Sequence, residues 1–507
     1  MTGSQARTAA AAGVAPPDRA GPGNGYARSG LRGTGQAGPG TPGPGHDGTT
    51  RPAIRRLGPL ARRPGWPVTF LLVGYPIWWA LGLGDFAWTI LAVPMVARMV
   101  AWRKRGRLIR VPPGFGLWLL FLIIVAAGLA TITLTAPGTV PSPVSHRLLS
   151  YVNRTAGYAG VTVLLLFAGN LTERELPRRA LAWMLGLVGV YAVAGGIAGM
   201  ILPNLQFSSP FLLLLPHSVQ ANPFIQASMH PALTQVQNVL GAASGRPKAP
   251  FDYTNTWSNC LTILLPFLLV GRWWNESRRS RLIAAGTVTI SIVPLLYSLN
   301  RGAWIAVAAA VGYLAVRLAA RGKVALLGTL CAVVALTGLV IMVTPLSSVI
   351  TSRLEHGRSN NLRANLDRLA ITDGLASPVI GYGDTRQEQG SPMSIAIGPS
   401  AKCPTCGQLA VGSTGQIWLL LVCNGIVGAA LYLSFFAAGV WRYRRDVSPY
   451  GMAGVLVLLL TFIFMLSYDA TGGPLGFTML AYALLWKNDE HQRQAALSTT
   501  PGPGSAR

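Results

Sequence analysis

Arginine is the side chain in this sequence whose placement points most directly to chemistry. Arg301 stands in the stretch SLNRGAW (298–304), between the apolar runs LIAAGTVTISIVPLLYSL and AWIAVAAAVGYLAV. Its guanidinium group is permanently charged, and its planar fork can donate hydrogen bonds to two phosphate oxygens at once. An arginine in so short a turn is therefore predicted to meet a phosphate or pyrophosphate headgroup at the lipid–water boundary.

Further arginines are predicted on the same side of the membrane as Arg301. Arg147 and Arg154 lie at the start of the fourth apolar run. One long polar segment contains Arg353, Arg358, Arg363 and Arg368. The alternative is that some of them only place their charge among lipid headgroups or pair with Glu355, Asp367 or Asp373.

The composition predicts that these residues are carried by an all-α integral membrane protein. Of 507 residues, 51% are hydrophobic and only 11% are charged, whereas about a quarter are charged in a typical soluble protein. Runs of about 18 to 25 apolar residues recur, which is the length that crosses a bilayer as a helix. The formal charge of +26 is explained by basic loops facing anionic lipid, so the predicted partner is membrane lipid and not nucleic acid.

Hydropathy predicts about twelve transmembrane helices within residues 66–486. Their approximate ranges are 67–82, 86–101, 114–135, 149–169, 180–202, 256–271, 282–298, 303–319, 324–345, 416–440, 450–467 and 473–486. The flanking segments 1–65 and 487–507 are predicted to be disordered tails.

Basic loops predict the orientation in the cytoplasmic membrane. Most of the loop Arg and Lys residues fall in 103–110, 171–179, 272–281, 317–323 and 441–446. The positive-inside rule places these loops and both termini in the cytoplasm. Two long segments, about 203–255 and 346–415, are then extracytoplasmic loops.

The positions of the acidic residues bear on whether the sequence is that of an ion-coupled transporter. Asp85, Asp252 and Asp469 all fall at the ends of predicted spans, whereas ion-coupled transporters place ionisable groups near the membrane midplane. Transport of a polysaccharide or lipid stays open as an alternative to catalysis, as does a catalytically silent scaffold.

Four stretches, taken together, resemble a known family. They are DYTNTWSNCLTILLPF (252–267, through Asn255 and Pro266), SLNRGAW, NLRANLDRLAITDGLASPVIGYG (361–383) and GSTGQIWLLLVCNGIVGAALYL (412–433). In this order they resemble the motifs of the O-antigen ligase and O-antigen polymerase family, over about 250–440.

The resemblance implies a fold of the C-type membrane glycosyltransferase kind and an inverting, metal-independent transfer without a cofactor. The implied donor is a polyprenyl-diphosphate-linked glycan, and the acceptor is a glycan, lipid or protein at the outer face of the membrane. Arg301 and Arg363 match the arginines that hold the donor pyrophosphate. Asn255, Arg154 and Thr414 are the further substrate-binding residues expected. Ligation and polymerisation share this donor and stay open.

Two positions depart from the family pattern. Asp367 stands where the family has tryptophan, and Thr414 with Gly415 stands where it has a His-Asn pair. Threonine cannot accept a proton at neutral pH. Another group would have to do so, and the candidates in the same segment are His356, Asp384 and Glu388.

Two cysteines, Cys403 and Cys406, form a CPTC stretch in the long external segment. A single pair without a second pair or a nearby histidine does not predict a zinc site. A small disulfide loop, two free thiols and a redox role stay open.

Overall fold

The computed structural model describes residues 64–140, 143–220, 225, 228–238, 243–270, 273, 276–344, 346–355, 358–388 and 410–499. The predicted N-terminal tail lies outside these ranges except for its last two residues. His356, Cys403 and Cys406 lie outside them as well.

Most of the described chain is helical. The helices are α1 (Trp66–Val73), α2 (Tyr75–Ala80), α3 (Ala87–Lys104), α4 (Phe115–Ala127), α5 (Val144–Asn170), α6 (Arg178–Ile201), α7 (His217–Gln220), α8 (Thr254–Leu268), α9 (Arg278–Tyr297), α10 (Arg301–Ala319), α11 (Val324–Val343), α12 (Leu346–Glu355), α13 (Arg358–Ala376), α14 (Gln416–Tyr443), α15 (Pro449–Met465) and α16 (Gly473–Thr499). Short 3₁₀ turns lie at Gly128–Thr131 and Pro210–Leu214.

Within the described ranges, five helices are long and apolar enough to cross a membrane. They are α6, α9, α10, α11 and α14. The prediction of a helical, membrane-spanning chain is therefore confirmed, while the number of twelve crossings stays a prediction. None of the residues of α11 is buried against the rest of the chain, so this helix presents apolar side chains all round.

The core lies where α5 packs against α3 and α16, and where α14 packs against α4 and α13. Aromatic side chains fill its centre: Trp118, Phe121, Tyr158, Tyr432 and Phe435. Their rings meet at tilted and edge-on angles with centroids 5.1–6.3 Å apart, the geometry that aromatic quadrupoles favour.

The long segments predicted as external loops contain regular structure. Residues 346–355 form α12 and residues 358–376 form α13. Among the described residues, two small antiparallel sheets are present. One is a hairpin of β2 (Thr234–Asn238) and β3 (Ala243–Pro247), and the other has the order β1 (Thr139–Val140), β4 (Arg386–Glu388), β5 (Ala410–Val411).

The C-terminal tail is ordered further than predicted, because α16 continues to Thr499. Lys487 and Asn488 are buried, and Asn488 accepts a hydrogen bond from Arg178 at 2.6 Å. Glu490 pairs with Arg110 at 2.7 Å. These contacts with distant loops hold a polar segment in helical form, which hydropathy cannot reveal.

Candidate functional site

The turn before α10 is held rigidly by buried polar contacts. Asn300 caps the helix, its side chain accepting from the Ala303 N–H at 3.0 Å, and it donates to Ser258 on α8. Arg246 donates to the Ser298 carbonyl at 2.6 Å. Leu299 adopts a left-handed conformation with φ of 54°, which is unfavourable for a residue with a side chain.

This turn delivers Arg301 to a cavity of about 320 Å³. Arg363, on α13, lines the same cavity together with Gly302, Ile305, Ile463, Leu466, Ser467 and Tyr468. The structure therefore brings together the two arginines that were predicted to act on one phosphate group, although they come from separate helices. Both side chains are half-buried.

The segment after α15 fixes the Arg363 guanidinium. Arg363 donates to the Ser467 carbonyl at 3.0 Å and stacks over the Tyr468 ring at 5.3 Å. The Ser467 hydroxyl has no hydrogen-bond partner among the described residues.

Gly302 allows α10 to approach this segment closely. A Cβ at position 302 would lie 2.9 Å from Ser467 Oγ and 3.0 Å from the Tyr468 ring. A side chain there would push the helix away from the cavity wall. This steric limit explains why glycine occupies the position after Arg301.

A break in α14 positions α13, and with it Arg363. At Gly425 the backbone has φ of 67° and leaves the helical conformation. The carbonyls of Val422 and Cys423 then accept from the N–H groups of Tyr382 and Gly383 at 2.8 and 2.9 Å. The PVIGYG stretch (378–383), which directly follows α13, is bound in this way to the start of α14.

The two positions that depart from the family pattern contact each other. Thr414 donates a hydrogen bond from its hydroxyl to Asp367 Oδ1. Gly415 packs directly on the end of α15, where a Cβ would lie 2.8 Å from the Met465 carbonyl oxygen. An asparagine at position 415 would therefore not fit without a shift of the backbone.

Asn255 contributes to the turn indirectly. Its Oδ1 accepts from Arg246 Nη2 at 3.2 Å, and Arg246 in turn holds the Ser298 carbonyl. The predicted substrate-binding residue thus supports the backbone before Arg301. It is not among the described residues that line the cavity.

Arg154 is not among the described residues that line the arginine cavity. Its Nη2 forms an ion pair with Asp384 Oδ1 at 2.9 Å, and the side chains are only 14% and 5% exposed. Arg147 is also buried and donates to the carbonyls of Ile132 and Leu134. Both arginines therefore satisfy acceptors within the protein, and the roles of Arg154 in substrate binding and of Asp384 as a base stay predictions.

Three cavity or turn residues escaped the sequence analysis. Ser467, Tyr468 and Arg246 lie in stretches with no recognisable motif, and only the three-dimensional packing shows their role. The one usable signal is the polar SYD stretch (467–469) directly after the apolar run of α15.

A second polar cluster joins residues that the sequence places at separate span ends. The carboxyls of Asp85 and Asp252 lie close enough to act on each other, and the Ser228 hydroxyl lies 3.4 Å from Asp252 Oδ2. Lys248 is buried nearby and its charge acts on Asp252. Two neighbouring carboxyls, one of them buried, favour holding one proton between them.

Asp373 on α13 is a buried carboxyl without compensation. It is fully buried, and neither carboxyl oxygen has a hydrogen-bond partner within the described part of the chain. Burial raises its pKa to about 7, although the charge of Arg386 acts to lower it. The protonated, neutral form is therefore the one that the folded protein accommodates.

Stability is expected to fall with pH because of Asp373. Its folded pKa lies above the unfolded value of 3.8, so the folded state binds the proton more tightly. The contribution of Asp373 to the free energy of unfolding is complete below about pH 4. It is lost as the pH rises to about 7, and it amounts to at most about 4 kcal/mol. In the Asp373→Asn variant, the unfolding temperature measured in detergent should change less between pH 4.5 and 8 than it does in the wild type. Parallel pH profiles for variant and wild type would contradict the assignment.

The cavity thus combines two guanidinium groups with an apolar wall, a set suited to an anion with several oxygens attached to an apolar group. In the searched residues no group of three or more His, Cys, Asp or Glu side chains is placed to hold a metal ion. No family model, curated protein or solved structure matches the chain.

Proposed function

We propose that this protein is a membrane glycosyltransferase of the O-antigen ligase and polymerase type. It would transfer a glycan from a polyprenyl diphosphate to an acceptor at the outer face of the cytoplasmic membrane. The observation that carries the proposal is the meeting of Arg301 and Arg363, from separate helices, in one cavity. The motif resemblance around both residues supports the same reaction.

The chemistry of the donor explains why two arginines are useful. When the bond between the anomeric carbon and the diphosphate breaks, negative charge grows on the diphosphate oxygens. Guanidinium groups that are already in position stabilise this charge. The N-terminus of α10 adds its dipole at Arg301.

An apolar groove beside the cavity supports a lipid-linked donor. It has a volume of about 420 Å³ and is lined by Ile417, Leu433, Ser434, Ala437, Phe462, Met465 and Leu466. Leu466 also lines the arginine cavity. A diphosphate in the cavity could therefore extend its prenyl chain along this groove towards lipid.

The orientation belongs to the proposal too. With about twelve crossings and the basic loops in the cytoplasm, both termini are cytoplasmic and the Arg301 turn faces outward. An enzyme that uses a lipid-linked donor after its transfer across the membrane requires this side.

Transport of a lipid or polysaccharide is the second candidate, and one observation favours it. The Asp85–Asp252 pair, in which Asp252 is buried, can hold a proton, as a proton-coupled transporter requires. Transport needs this pair to be exposed to each side in turn, whereas transfer needs only the arginine cavity.

The two functions separate in one experiment with purified protein in liposomes. A polyprenyl-diphosphate-linked oligosaccharide is supplied with candidate acceptors, and products are resolved by mass spectrometry. Glycosyltransfer predicts an elongated or ligated glycan together with free polyprenyl diphosphate. Movement of intact donor between leaflets without any new glycosidic bond would replace the proposal by transport.

A further inference from the structure

The Thr414–Asp367 pair sits directly beside the arginine cavity. Asp367 follows Arg363 by one helical turn on α13, so both project from the same face of the helix. On the other partner, Gly415 packs against Met465 and Leu466, and the Gln416 N–H donates to the Tyr468 carbonyl at 2.9 Å. Leu466 and Tyr468 line the cavity.

The pair is built to hold a carboxylate in one orientation. Thr414 is buried and donates to Asp367 Oδ1, whereas Asp367 itself is only half-buried. Thr414 therefore holds one carboxylate oxygen from a buried position, while the Asp367 residue keeps partial exposure. This arrangement of a base oriented by a fixed hydrogen bond is the one expected of a proton acceptor.

Transfer to a hydroxyl requires such a group. The acceptor oxygen must lose its proton as it bonds to the anomeric carbon, and threonine cannot take that proton. Asp384 is neutralised by Arg154, and Asp373 is fully buried. Of Asp367, Asp373 and Asp384, Asp367 is the one that is partly exposed and lies one helical turn from Arg363.

We propose that Asp367 accepts the proton of the acceptor hydroxyl and that Thr414 positions its carboxylate. The inference rests on the proposed glycosyltransferase function. The acceptor oxygen forms a bond to the anomeric carbon with inversion, and its proton passes to Asp367. The bond from that carbon to the phosphate oxygen breaks, and its electron pair leaves with the polyprenyl diphosphate held by Arg301 and Arg363. Asp367 then releases the proton to water.

The surroundings of Asp367 suit this task. Burial raises the pKa of its carboxyl, while the Thr414 hydrogen bond and the Arg363 charge lower it. The strand β5 and the first half of α14, which pack against α13, carry no charged residue from 410 to 424. A carboxyl with a raised pKa is a stronger base than an ordinary aspartate.

The test compares Asp367→Asn with wild type. The amide keeps an oxygen that can accept from Thr414 but cannot take a proton, so the transfer rate should fall about 100- to 10,000-fold. Binding of a glycan-free polyprenyl diphosphate should stay unchanged, because Arg301 and Arg363 are intact. The wild-type rate should decline at acid pH as Asp367 becomes protonated, and the variant should lack this decline.

Two further variants keep the test decisive. Thr414→Val removes the hydrogen bond that lowers the Asp367 pKa, so the acid decline should move to higher pH. Asp367→Glu keeps a carboxylate and should recover part of the rate that asparagine loses. An asparagine variant as fast as wild type, or an acid decline that Thr414→Val leaves in place, would overturn the role of Asp367. A wild type that forms no product would instead overturn the glycosyltransferase proposal itself.

Discussion

Glycan transfer is expected to fall about 100- to 1,000-fold when Arg301 is replaced by lysine. Lysine keeps the positive charge but loses the planar fork that can bind two phosphate oxygens together. If the fork contacts the diphosphate while its charge grows, the lost interaction belongs mainly to the transition state. The measurement is the initial rate of transfer from a polyprenyl-diphosphate donor by purified protein in liposomes.

Arg368→Lys is the matched control for this variant. Arg368 is exposed on α13 and does not belong to the residues described as lining the cavity, so its replacement should leave transfer within about twofold. Correct insertion of both variants is checked by their thermal unfolding. A fully active Arg301→Lys protein would show that this arginine only anchors the helix at the headgroups, where lysine serves equally well.

Replacing Asp384 by alanine is expected to destabilise the fold by about 3–5 kcal/mol. Arg154 Nη2 lies 2.9 Å from the Asp384 carboxylate. The substitution removes this carboxylate and leaves the guanidinium of Arg154 buried without it. Arg154 also donates to Cys423 at 3.1 Å, but a thiol sulfur does not compensate a full charge. Thermal unfolding in a single detergent, followed by circular dichroism, measures the loss.

The double variant Arg154→Met with Asp384→Leu separates charge from packing. Replacing both partners with apolar side chains of similar size should recover most of the stability lost in the single variant. If Asp384→Ala alone left the unfolding temperature unchanged, Asp384 would not hold Arg154, and this arginine would return as a candidate ligand of the donor.

Hydropathy predicted where the apolar helices lie. The span predicted at 303–319, for example, lies within α10, which begins at Arg301 after the N-cap residue Asn300. The polar helix α13 was predicted as loop, because its mean character is hydrophilic; its buried apolar side chains include Leu366 and Ala370. Segments of this kind are stabilised by partners distant in the chain.

Some residues of the candidate site were predictable from sequence motifs, whereas other contacts depend on partners distant in the chain. Arg301 and Arg363 were predicted to share one ligand because motifs on both sides identified them, and they line one cavity. Arg154 was assigned to the substrate, but its partner Asp384 lies 230 positions away, and no local pattern encodes that pairing. The Thr414–Asp367 contact joins two departures from the family pattern that looked unrelated in sequence.

Because Leu299 is held in a left-handed conformation, the conformational entropy of the turn is lost on folding and not on ligand binding. A conformation that is unfavourable by about 1–2 kcal/mol persists here because Leu299 is buried and hydrogen bonds hold Ser298 and Asn300 on either side. Ordering a flexible turn would cost about 1–2 kcal/mol per residue. Since this turn is already fixed, a ligand that enters the cavity does not have to order the backbone before Arg301, and more of its contact energy is expressed as affinity.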